Sequence, residues 1–119
     1  MIRNNLQTLI QAHQPDCCAI ETLFFSKNVK TAMAVSQARG VIVCTMAEAG
    51  IPLFDYSPTQ VKQAMIGYGG ADKKQVQYMT KEFLQLKAIP KPDDVADALA
   101  VAICHSHMGS LHYKAWFIR

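Results

Sequence analysis

Apolar positions repeat at two different periods along the chain, and the changes of period mark its elements. Leu6, Leu9 and Ile10 recur at helical spacing behind Asn4 and Asn5, either of which can cap a first helix that Pro15 and Asp16 end. From Cys17 to Phe25 the run CCAIETLFF is apolar on both faces apart from Glu21 and Thr22, the pattern of a central strand in a covered, mostly parallel sheet. Asn28 then caps a long helix to about Ala49, with Gly50 as its stop. Within it Ala32, Ser36 and Gly40 form a narrow small-residue strip, which suits either packing against the sheet or a contact between subunits.

Ile51 to Tyr56 reads as a second strand, and Ser57 to Gln60 (SPTQ) has capping-box form with Pro58 at the first helical position. Val61, Ala64 and Met65 continue that helix. IGYGGADKK is a glycine-rich turn whose Lys73 and Lys74 open the next helix, with Val76, Met79, Phe83 and Leu86 as its buried stripe. The linker KAIPKP leads into a last helix between Pro90 and His107. Beyond Met108, GSLHYKAWFIR has no usable period; residues 1–108 are read as one domain and 109–119 as a tail of unassigned structure.

This order is an α/β alternation, which implies parallel strands joined by right-handed crossovers. Only two strands are visible, and two parallel strands make a poor core. The apolar strand from Cys17 needs a neighbour on its free edge, supplied upstream in the chain or by another molecule.

Composition narrows the class. A chain of 119 residues suits one small domain, and no apolar run approaches the ~18 to 20 residues of a spanning helix. The start, MIRNNLQTLI, is too short and polar for a secretory signal, which places the protein in the cytoplasm. Cys17, Cys18, Cys44 and Cys104 show no CxxC spacing and fit a reducing compartment. A net charge of +3 does not by itself name nucleic acid as the partner. GYGGADKK lacks the spacing of a phosphate-binding P-loop. Cys104, His105 and His107 fall short of the four ligands of a closed zinc site and read as the polar end of a helix.

The candidate chemistry is carboxylate chemistry. Asp94 and Asp97 are three residues apart, which on a helix places both on one face. Taken alone they read first as a helix start at the positive end of the dipole, and a cation between them is the second reading. Glu21 adds a third carboxylate, inside a run so apolar that an acid there needs a reason.

Three stretches taken together, AIETLFFSKNVKTAMAVSQARG, YSPTQVKQAMIGYGGADKKQVQYM and DDVADALAVAICHSH, resemble the RuvC family of Holliday junction resolvases, from about Gln14 to His107. The resemblance implies an RNase H-like fold, a homodimer acting on four-way junction DNA beside a branch-migration helicase, and phosphodiester hydrolysis with Mg2+, or Mn2+ in its place. It further implies Glu21, Asp94 and Asp97 as metal ligands, with Lys73 balancing charge on the phosphate. Phe24 would stack on unpaired bases, and Lys62 and Lys73 would approach the cleaved strand; Lys74, Lys27 and Lys30 are further candidates for contact with backbone phosphates. The long second helix matches the element that packs about the dimer axis. Family members open with a strand whose aspartate is a further ligand, and the chain resembles the portion that follows it. Asp16 lies in a turn and does not replace that aspartate. Two other readings stay open: a DNA-binding or dimerising fragment that does not cut, and a related nuclease acting on RNA.

Overall fold

The computed structural model describes residues 1–22 and 29–117, the last nine of them by backbone alone. Phe24, Lys27, Phe25 and the Asn28 cap lie outside the described residues. The elements are α1 (Ile2–His13), β1 (Cys18–Glu21), α2 (Val29–Glu48), β2 (Leu53–Tyr56), α3 (Pro58–Ile66), α4 (Lys73–Phe83) and α5 (Asp93–Phe117). Contacts group them into two units, the first holding α1 and α2 and the second most of the strands with α3, α4 and α5.

In the first unit α1 begins before the asparagines expected to cap it. Met1 takes the cap position, and Asn4 lies inside the first turn, where its carbonyl accepts the Thr8 hydroxyl at 3.0 Å. The helix ends on Gln14 at φ 46°, one residue before Pro15, with the Gln14 N–H on Ile10 O at 2.8 Å. No residue of α1 is buried, and it packs on α2 with Arg3 paired to Glu48 at 2.9 Å. The α2 terminus follows from its glycine. At φ 71° Gly50 adopts the left-handed turn that ends many helices, its N–H on Ala47 O and the Ile51 N–H on Met46 O. The small strip is open: Ser36 and Gly40 are exposed, and a Cβ on Gly40 would meet nothing within 4 Å. Among the described residues, nothing packs tightly on that glycine.

The two strands pair in parallel. Cys18 N–H bonds Pro52 O at 2.9 Å and Thr22 N–H bonds Tyr56 O at 2.8 Å, a constant offset that only a parallel register gives. The described strands are shorter than the apolar runs that announced them.

In the second unit two helices start on reciprocal capping boxes. Ser57 and Gln60 exchange bonds of 3.1 and 2.7 Å at the start of α3, and Asp72 and Gln75 do the same at 2.8 and 2.9 Å at the start of α4. Gly67 closes α3 at φ 83°, and Gly69 lies so near Thr59 that a Cβ would meet its methyl at 2.8 Å. The buried stripe of α5 is Ala96, Ala100, Val101, Ile103 and Cys104, the i, i+4, i+7, i+8 spacing of a core-facing helix. It meets a core containing Phe54, Tyr56, Val61, Met65 and Ala71.

Two expectations change here. The buried anchor of α4 is Thr80, whose hydroxyl donates to Val76 O at 2.9 Å, whereas Phe83 ends the helix 45% exposed and Leu86 lies beyond it. The stripe was cut short because α4 stops at Phe83 and the chain turns at Gln85 with φ 54°. The segment set apart as a tail instead continues α5 without a break to Phe117.

Candidate functional site

Glu21 ends β1, and a carboxylate placed there has lost much of its water. Burial is the main cause that pushes its carboxyl above the usual range, and the charge of Asp97 pushes it further. Lys62 on α3 and Lys73 on α4 pull it back. Three helices thus bring charge to bear on one strand carboxyl group.

The aspartates occupy the first turns of α5, where the positive helix terminus favours them. Lys73 reaches across from the first turn of α4, its ammonium 3.3 Å from Asp93 and 3.8 Å from Asp97. Its pKa is raised, first by the hydrogen bond to Asp93 and then by the charges of Asp97, Asp93 and Asp94. Asp93 also accepts from the Gln77 side chain at 3.3 Å. Asp93 was missed in the sequence because it was read only as part of the helix start. Its four-residue spacing from Asp97 was the available signal, since that spacing lets one lysine touch both.

Asp94 is exposed in the same turn and acts on Lys73 through its charge. Among the described residues, no three His, Cys, Asp or Glu side chains gather closely enough to hold a metal ion. The structure therefore brings Glu21, Asp97, Lys62 and Lys73 into one electrostatic neighbourhood and leaves Asp94 at its rim. The donor set fits a hard cation in kind. Two carboxylates of which one raises the pKa of the other form a place that a divalent ion would relieve, and magnesium is commonly held by one or two carboxylates, water and phosphate.

The other candidates are dispersed. Lys74 lines a shallow depression with Ile66, Asp72, Gln75, Tyr78 and Met79, and Lys30 is exposed on α2. Phe24 and Lys27 lie outside the described residues. Cys104 is fully buried, its thiol pushed up by burial and its sulfur 3.8 Å from Gln60 O. His105 stacks on Phe54, with ring centroids 4.5 Å apart, and bonds the Tyr56 hydroxyl, while His107 meets the Phe83 ring edge-on at 5.2 Å. These three side chains turn to three different partners. Among the described residues no helix is long and apolar enough to cross a membrane.

The architecture finds close counterparts among solved structures. A Thermus thermophilus RuvC structure superposes with TM-score 0.86 at 35% identity, covering 93% of this chain and 67% of that one. The T. thermophilus RuvC in complex with Holliday junction substrate gives 0.83 at 32% identity, covering 92% and 66%. The fold is RNase H-like, with an acidic site at the end of a strand and the start of a helix. The family model for crossover junction endodeoxyribonuclease RuvC matches residues 1–105. The crossover junction endodeoxyribonucleases RuvC of Roseiflexus sp. and Chloroflexus aggregans are 58% and 57% identical over 107 and 104 residues, 90% and 87% of this chain. The chain belongs to the RuvC family, and it spans 64% and 63% of the length of those two relatives. The match takes in α1, which lies before the Gln14 limit of the sequence resemblance.

Proposed function

We propose that this chain supplies part of the catalytic site of a metal-dependent endonuclease that cuts four-way DNA junctions during recombination and repair. One observation carries the reading: a half-buried strand glutamate, raised in pKa by burial and by Asp97, with two lysines facing it. A strained carboxyl of this kind is costly for a fold and useful for a site.

Glu21 and Asp97 would hold the cation, with Asp94 approaching from its place at the rim, and Mg2+ or Mn2+ suits these oxygen donors. When bound, such an ion neutralises phosphate charge and makes water a better nucleophile. The chain's own groups do the rest. Glu21 orients the attacking water and can take its proton at a carboxylate oxygen. Lys73, which bridges Asp93 and Asp97, turns to the scissile phosphate when DNA arrives. Lys62 neutralises a neighbouring phosphate, and Lys74 and Lys30 add salt-sensitive contacts farther off. Phe24 keeps the base-stacking role that the family resemblance implies.

The homodimer belongs to the same proposal. Val29 and Met33 on α2 are 75% and 57% exposed beside the open Gly40 strip, a surface suited to a second copy in a cytoplasmic assembly with a branch-migration helicase. The absence of a three-donor group among the described residues favours one second reading, a chain that binds junction DNA without cutting it.

Cleavage of a synthetic four-way junction by the native gene product, with Mg2+ or Mn2+ supplied, separates the two. Glu21→Gln and Asp97→Asn should each lower the rate by about 100-fold or more while junction binding persists, because each removes a ligand that fixes the geometry of the reaction. Equal rates in all three proteins would overturn the catalytic reading, and faster cutting of structured RNA than of the junction would move the substrate class.

A further inference from the structure

The Tyr56 side chain is fully buried, and its hydroxyl shares a hydrogen bond with His105 Nδ1, although 49 residues separate them in sequence. Phe54, two residues earlier on β2 and also fully buried, holds the His105 ring from one face at 4.5 Å between centroids. Tyr56 has a second bond through its backbone, since its carbonyl accepts the Thr22 N–H at 2.8 Å, one residue beyond Glu21. His105 stands two turns along α5 from Asp97. A continuous path therefore runs from Glu21 through Thr22, Tyr56 and His105 to Asp97. Between strand and helix that path crosses the Tyr56–His105 hydrogen bond.

We infer that Tyr56 and His105 are positioning residues that set the depth of α5 against the strand pair and so hold Asp97 beside Glu21. A purely apolar contact at this place would be non-directional and would let the helix slide by a fraction of a turn. A hydrogen bond between two rings, one of them gripped by Phe54, admits one register. Asp97 lies in the second turn of α5, so the register of that helix sets where its carboxylate falls relative to the end of β1. The inference deepens the proposed function and rests on that reading for its catalytic meaning, while the geometric part stands on the structure.

The test is therefore made in two arms. In the first, metal-free protein at neutral pH is studied by carbon NMR of the Glu21 carboxyl, and the change in its resonance on Asp97→Asn is measured in the parent and in the Tyr56→Phe background. Phenylalanine keeps the ring and its burial and removes only the hydroxyl. The change should fall at least twofold in the Tyr56→Phe background, and His105→Phe should act in the same way, whereas His105→Gln, which keeps a polar partner for the hydroxyl, should restore part of it. An unchanged response in Tyr56→Phe and His105→Phe overturns the inference, and if one of these variants fails to fold the other decides. In the second arm, junction cleavage by Tyr56→Phe should lose about tenfold in kcat with KM unchanged. Should the parent protein cut no junction, the proposed function fails and the NMR arm still decides the positioning role. Should Glu21→Gln abolish cutting while Tyr56→Phe leaves both the NMR response and kcat unchanged, the positioning role fails alone.

Discussion

The two longest helices of the molecule are both rich in apolar residues, and they use them differently. α5 turns Ala96, Ala100, Val101, Ile103 and Cys104 into the core of its own unit and keeps its aspartates at the exposed end. α2, with 20 residues, buries only Thr45 and Met46 near its C-terminus, and leaves Val29, Met33, Val41 and Val43 exposed. One helix is finished within the chain, whereas the other offers its surface outward. Apolar content does not tell these cases apart; what each helix buries does.

This difference can be broken first on α5. Ile103→Ala, at a position 7% exposed, should cost about 2 to 5 kcal/mol in urea or thermal unfolding, because the tightly filled stripe leaves a cavity behind. A loss below about 1 kcal/mol would mean that α5 is no better packed than α2. Ser57→Ala removes one half of the α3 box and should cost about 1 kcal/mol in the same assay.

A smaller effect tests the charged end of the comparison. Glu21 has a folded pKa above its unfolded value, so its contribution to stability is full below the unfolded pKa and is lost as pH rises through the folded one. Glu21→Gln should therefore stabilise the metal-free protein near neutral pH, and the gain should fade as the pH falls through the raised folded pKa and be gone below about 4.3, the ordinary glutamate value. Because the group is half exposed and screened by water, the gain should stay below about 1 kcal/mol. Smallest of all is Met33→Ser on α2, which should change unfolding by less than about 0.5 kcal/mol in dilute solution. The same substitution should weaken self-association in sedimentation equilibrium. A variant that unfolds early yet associates normally would place Met33 in a core instead.

The parts of the fold legible in the sequence were those written in local patterns. The Glu21 strand showed as an apolar run interrupted by an acid, α3 by its SPTQ box, and the end of α2 by Gly50. The Asp72 and Gln75 box carries the same kind of signal as SPTQ and was overlooked because the glycines before it read as a turn. The site was legible in its residue types and less so in its contacts. That Lys73 takes Asp93 and Asp97 together depends on how α4 meets α5, and no spacing within one helix records that. The Tyr56 and His105 bond was invisible for the same reason. The helix through residues 109–117 has no apolar period to announce it.

The capping boxes at the starts of α3 and α4 bear on the order in which the chain acquires its shape. Each box satisfies its orphan N–H groups with residues three positions away, and α3 contacts α4 across a short loop, so this pair closes at little entropic cost. β1 has no such local partner. The Thr22 amide just beyond it bonds the Tyr56 carbonyl, a contact made across the whole of α2 in sequence, whereas α3 and α4 close on near neighbours in the chain.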